Sequence, residues 1–134
     1  MKNKIRKYKT IKGACKKIGF EVEVPSRYKV KEVSVISNKI LEIKFSSVVA
    51  RKAKTTKNKN DKGIIFSGAY PNDCYKGEFR GEDISGYEYW NGSAKKPKAY
   101  LATWDNAKNK YSYSVYAPRG IKLKAMAKWQ KIFK

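Results

Sequence analysis

Ile11, Ala14, Cys15 and Ile18 recur at i, i+3, i+4 and i+7, the spacing that puts four apolar side chains on one face of an α-helix. Thr10 stands where an N-cap belongs and Gly19 at the C′ position. The period then changes. In residues 20–24 Phe20, Val22 and Val24 alternate with Glu21 and Glu23, the pattern of a half-buried strand, stopped by Pro25. Alternation continues over residues 28–36 but changes phase between Val30 and Val33, which predicts a bulge or bend. Ser37, Asn38 and Lys39 supply turn chemistry, and Leu41, Ile43 and Phe45 resume the period of two, completing a β-hairpin. Val48 and Val49 carry an extended segment on toward Arg51.

Residues 52–62 are almost wholly Lys, Thr, Asn and Asp, so they have no surface to bury and are expected to form a mobile exterior loop. Residues 63–66 make a short strand candidate, and residues 67–80, with two Gly, one Pro and an Asn-Asp pair, read as irregular. Residues 85–90 suggest another strand, followed by an exposed connector through Asn91, Gly92 and the basic run at 95–98. Tyr100, Ala102 and Trp104 then share a face, as do Tyr111, Tyr113 and Val115 against Ser112 and Ser114, and residues 105–109 join the two strands as a hairpin. Past Pro118 and Gly120, the residues Ala125, Met126, Trp129, Ile132 and Phe133 line one helical face, with Lys122, Lys124, Lys128 and Lys131 mostly opposite. The fold expected is α+β: a mostly antiparallel sheet of hairpins with an N-terminal and a C-terminal helix packed on it. Residues 1–9 read as a basic N-terminal lead and residues 10–134 as a single domain.

Composition supports a folded chain. With 134 residues and 41% hydrophobic positions there is enough apolar surface for one self-sufficient core. The 32 Lys and Arg against 11 Asp and Glu give a formal charge of +21, far beyond what solubility requires. Only Arg6, Arg27, Arg51, Arg80 and Arg119 are arginines; the rest are Lys, a point charge without the bidentate fork, which favours diffuse attraction to an acidic partner over shaped recognition. The bland alternative is a solvated basic surface produced by compositional bias. The two densest runs nominate Lys52, Lys54, Lys57, Lys59, Lys95, Lys96 and Lys98 as candidate polyanion-binding residues.

Catalytic and metal chemistry find little support. The chain has no His, and Cys15 and Cys74 are the only thiols, so a zinc site lacks its usual ligands and no metal is expected. Cys15 reads as a small hydrophobe on the helix face, with a Cys15–Cys74 disulfide as the sharper alternative in an oxidising compartment. Glu82 and Asp83 are simplest as turn residues between Gly81 and Gly86. Ser93 and Lys96 match a Ser-x-x-Lys pattern only as letters, and no phosphate-cradling glycine loop follows a strand, so no cofactor and no enzymatic activity are expected. Aromatics interleaved with Lys between Lys98 and Tyr116 fit either a base-stacking surface or, more simply, a core beneath a sheet. The last helix fits either an interfacial membrane helix or a cap on the sheet. No secretion signal stands at the N-terminus and no segment has the length of a membrane span.

Four blocks in order resemble a domain family of unknown function from Gram-positive, clostridial-type bacteria, found in lipoproteins and in the outer portions of membrane-anchored, anti-sigma-factor-like proteins. They are the helix end Ala14-Cys-Lys-Lys-Ile-Gly-Phe20 with Val24-Pro25, the basic Arg51-Lys-Ala-Lys54, the turn Gly81-Glu-Asp-Ile-Ser-Gly86, and Tyr100-Leu-Ala-Thr-Trp104 with Tyr111-Ser-Tyr-Ser-Val115. Residues 55–80 depart from the pattern as an insertion. The resemblance implies an extracytoplasmic module whose signal or anchor has been removed, and it brings no catalytic residues; without such removal the location expected is cytoplasmic. The function expected is a non-enzymatic binding or sensory module whose basic surface meets an anionic envelope polymer, lipid surface or protein. An intracellular nucleic-acid-binding protein is the alternative, and a small His-free nuclease toxin comes third.

Overall fold

A computed structural model describes residues 4–55, 75–81, 84–90, 95 and 97–134, with the backbone alone for 75–81 and 84–90. Thr10 begins helix α1 (Ile11–Ile18) by accepting a bond from the Gly13 N–H to its Oγ1 at 3.0 Å. Gly19 ends it at φ +91°, a left-handed position that suits glycine. Eight strands form one antiparallel sheet: β1 (Ile5–Tyr8), β2 (Val30–Ile36), β3 (Ile40–Phe45), β4 (Val49–Lys54), β5 (Tyr75–Gly81), β6 (Ile84–Trp90), β7 (Lys98–Asn106) and β8 (Tyr111–Lys122). Their spatial order is β1-β2-β3-β4-β8-β7-β6-β5, so two four-strand meanders meet where β4 pairs with β8. Helix α2 (Leu123–Ile132) closes the chain.

The expected hairpin of residues 28–45 is present as β2 and β3, with its register shift between Val30 and Glu32. Ser37 and Asn38, at φ +52° and +57°, supply the two left-handed residues that match a tight turn to strand twist. The second expected hairpin is β7 and β8, where Asn106 Oδ1 accepts from the N–H groups of Lys108 and Asn109 and so organises the turn.

Four expectations are corrected. Ile5–Tyr8, read as part of a charged lead, is an edge strand paired to β2, which supplies partners that its own pattern does not announce. Residues 20–24 keep their alternation, with Phe20 buried, but join no ladder; Glu23 instead exchanges two backbone bonds with Lys134 at 2.7 and 3.1 Å. Residues 52–54, assigned to the loop, finish β4, because Lys52 and Ala53 pair with Leu41 and Ile40 on one side and with Tyr113 and Ser112 on the other. Tyr75–Gly81, read as irregular, is an edge strand in full register with β6. The strand candidate at 63–66, most of the proposed loop, Cys74, and the acidic turn pair Glu82 and Asp83 lie outside the described residues.

Both helices pack on one face of the sheet, where Ala14 of α1 and Met126 and Trp129 of α2 join Val33, Val35, Ile43, Val115 and the following Phe133 in a single core. Register defines that face. One cross-strand row runs Val33, Ile43, Ala50, Val115, Ala102; the next runs Val35, Leu41, Lys52, Tyr113, Trp104. The opposite face carries the row Ser34, Glu42, Arg51, Ser114, Thr103. Within it Nε and Nη2 of Arg51 reach Glu42 Oε2 at 2.7 and 2.5 Å. Trp104 stacks on Tyr113 with ring centroids 5.4 Å apart, and Trp129 packs against Tyr28, Phe45 and Phe133.

Candidate polyanion interface

The seven lysines nominated from the two basic runs do not form one patch. Lys52 is buried in the helix-covered face, a correction to its assignment as a surface cation. Strand alternation sends its side chain inward between Leu41 and Tyr113. There Nζ donates to the Glu21 carbonyl at 2.6 Å and lies 4.4 Å from the Tyr111 ring centroid and 5.2 Å from that of Phe20. The bond latches the segment after α1 onto the sheet. Lys54 and Lys98 are exposed, but at opposite ends of β7, since Lys54 lines up through Tyr111 with Asn106. Eight residues of strand separate them by about 26 Å. Lys95 is exposed; Lys57, Lys59 and Lys96 lie outside the described residues.

Desolvation pushes the Lys52 ammonium below its ordinary range, and the neighbouring Cys15 and Glu21 pull it back up only in part. Burial likewise raises the Cys15 thiol, opposed by the Lys52 charge and reinforced by Glu21. Cys15 is half-buried and carries a free thiol. Tyr113, whose hydroxyl accepts from Asn109 Nδ2 at 2.8 Å, is also raised by burial. Lys52 lies against Phe20 and Tyr111, and Tyr113 packs on Trp104 and Phe133, so these two groups form part of the packing rather than an open site.

The charged surface that the fold does assemble belongs to the helices. Lys12, Lys16 and Lys17 on α1 and Lys124, Lys128 and Lys131 on α2 are all exposed, and neither helix contains an Asp or Glu. Each helix buries its apolar stripe against the sheet, so the lysines opposite that stripe point outward together. Carboxylates are placed elsewhere. Glu32, Glu42 and Asp105 lie on the far face of the sheet, where Lys7 pairs with Glu32 and Lys44 with Glu42 at 3.6 and 3.9 Å. On the helix side, Glu21 and Glu23 are the carboxylates among the described side chains. A lysine opposite a core stripe reads in sequence as ordinary solvation; the usable signal was the absence of any acid from both helices.

Among the described residues no helix is long and apolar enough to cross a membrane, and no group of three His, Cys, Asp or Glu side chains is placed to hold a metal. No protein-family model, characterised protein or solved structure matches the chain.

Proposed function

We propose that this chain is a non-enzymatic binding module that attaches electrostatically to an anionic polymer through the outer face of its two helices. The observation that carries the proposal is the outward lysine set of α1 and α2 with no carboxylate on either helix. Two competing uses of the basic surface lose aromatic residues that they would draw on, although Tyr100, Tyr111 and Tyr116 stay half-exposed. Trp104 and Tyr113 are buried and stacked on one another, so they have no free face for a nucleobase. Met126, Trp129 and Phe133 are buried in the core and have no apolar surface left to insert into a bilayer. These burials favour attraction to a charged backbone, and the resemblance to lipoprotein and envelope-exposed domains points to an anionic polymer of the cell envelope.

The test is a titration of labelled poly(glycerol phosphate) and of duplex DNA at several salt concentrations. Log affinity is expected to fall linearly with log salt, and a variant carrying Lys16→Gln, Lys17→Gln, Lys128→Gln and Lys131→Gln to lose about 0.9 of slope on duplex for each phosphate contact removed. Lys44→Gln with Lys54→Gln should change little. Absence of binding at low salt, or equal losses from both variants, overturns the proposal.

A further inference from the structure

Three pieces of chain meet where β8 runs into α2: the start of β7, a bend in β8, and the first turn of α2. Lys98 stands directly opposite Lys122, and Ala99 opposite Ile121, but the next pair is Leu101 with Tyr116. Residues 117–120 therefore stand as a bulge opposite the single residue Tyr100, with Ala117 buried in the core and Pro118 and Arg119 exposed. Gly120, at φ +76°, closes the bulge against Lys98: a Cβ there would lie 2.9 Å from Lys98 Cβ and 3.1 Å from its Cδ. The Lys98 stem thus runs along the bulge, beside the residue that follows Arg119 in the chain, and Lys124 lies two residues beyond Lys122. Lys98, Arg119, Lys122 and Lys124 are all exposed, and none makes an ion pair with a described residue.

Like charges directly opposite one another in an antiparallel pair are destabilising. Bulges re-aim side chains and are common beside binding sites. The register sets Lys98 across from Lys122, with Arg119 in the bulge and Lys124 in the first turn of α2, so positive charge gathers here with no ion-pair partner among the described residues.

We propose that this corner binds a phosphate group, which rests on the polyanion reading above and narrows its partner to a phosphate-bearing polymer. A carboxylate brings one charge, whereas a phosphate is a compact tetrahedral oxyanion able to meet cations from several directions. Arg119 supplies the fork that suits its paired oxygens, and the three lysines act as point charges around it.

The probe is pyrophosphate, followed by calorimetry and by thermal melting of the full chain. Pyrophosphate is expected to bind the native protein and raise its melting temperature. Lys98→Gln with Lys122→Gln is expected to weaken binding at least about tenfold, as loss of charge-assisted contacts does, to abolish the ligand-induced rise, and to melt higher than the native protein when no ligand is present. Lys44→Gln with Lys54→Gln should leave pyrophosphate affinity unchanged. Displacement by poly(glycerol phosphate) but not by phosphatidylglycerol vesicles places the phosphate on a polymer, and the reverse places it on a lipid headgroup. Native-like pyrophosphate affinity in the Lys98/Lys122 variant, or equal displacement by polyglutamate of matched charge, overturns the corner site while leaving polymer binding by the helices standing. Pyrophosphate binding at the corner without any polymer binding removes the helix-face proposal and the polymer as the corner's partner, leaving the phosphate site itself.

Discussion

Lys52 shows how one residue type serves opposite ends in this chain. Its stem completes an apolar row between Leu41 and Tyr113, and its ammonium is satisfied by the Glu21 carbonyl and by aromatic faces instead of water. Because burial lowers its affinity for a proton, the unfolded chain holds the Lys52 proton to higher pH than the folded one. Its contribution to stability therefore rises with pH between the lowered folded value and 10.5. Cys15 acts in the other sense: its folded thiol is raised above 9.0, so its contribution is present below 9.0 and is lost as pH climbs through the folded value. The Cys15 thiolate is also scarce at neutral pH, and the Lys52 charge, ahead of a backbone hydrogen bond from Val22, opposes the effect of burial on it. In a Cys74→Ser background, iodoacetamide should modify Cys15 with a rate midpoint above 9.0. Lys52→Met should slow the reaction further at pH 8. A faster reaction in the variant would show that Lys52 shields the thiol sterically rather than tuning its charge.

At the scale of elements, local chemistry was legible wherever an element carries its own punctuation. Thr10 and Gly19 bracket α1, and Ser37 and Asn38 make the tight turn between β2 and β3. β1 and β5 were not legible. Ile5–Tyr8 has two cations at its centre, and Tyr75–Gly81 holds two Gly and three charged residues, so neither offers the alternation that marks a strand. Both are edge strands, and their conformation comes from the ladder of the neighbour, β2 or β6. Helix α2 was legible from its stripe, and its anchor is Trp129, with no measurable exposure. Trp129→Ala should cost about 3–5 kcal/mol in denaturant unfolding, as large-to-small core changes do. The indole Nε1 has no acceptor among the described residues. Trp129→Phe, which keeps most of the ring packing and removes that buried donor, should stay within about 1.5 kcal/mol. A loss under about 0.5 kcal/mol for the Ala variant would place the stripe outside the core.

For the whole molecule the dominant quantity is the charge of +21. Among the described residues the ion pairs engage only Glu32 and Glu42, so most cations have no internal partner and repel one another in the compact state. Added salt shortens the screening length to about 3 Å at 1 M, relieving that repulsion more than it weakens the few pairs. The melting temperature should therefore rise with sodium chloride from low salt upward, measured by circular dichroism. A fall would mean that ion pairs outweigh self-repulsion. Salt should at the same time weaken polymer binding, so stability and affinity move in opposite directions along one titration.

Taken alone, the sequence determined the α+β class, the two described helices with their buried stripes, the β2–β3 and β7–β8 hairpins, and the cationic excess, because each is written in local period, turn residues or simple counts. It also held the acid-free helices from which the candidate face is built. Only the tertiary structure decided which lysines are available. Whether a lysine faces core or solvent depends on which side of the sheet its strand parity selects, and that parity is set by register with distant strands: Lys52 is turned inward by its pairing with Leu41 and Tyr113, while Lys98 meets Lys122 because a bulge of residues 117–120 shifts β8 against β7. Neither the buried cation nor the crowded corner has a local signature, since both arise from contacts between residues far apart in the chain.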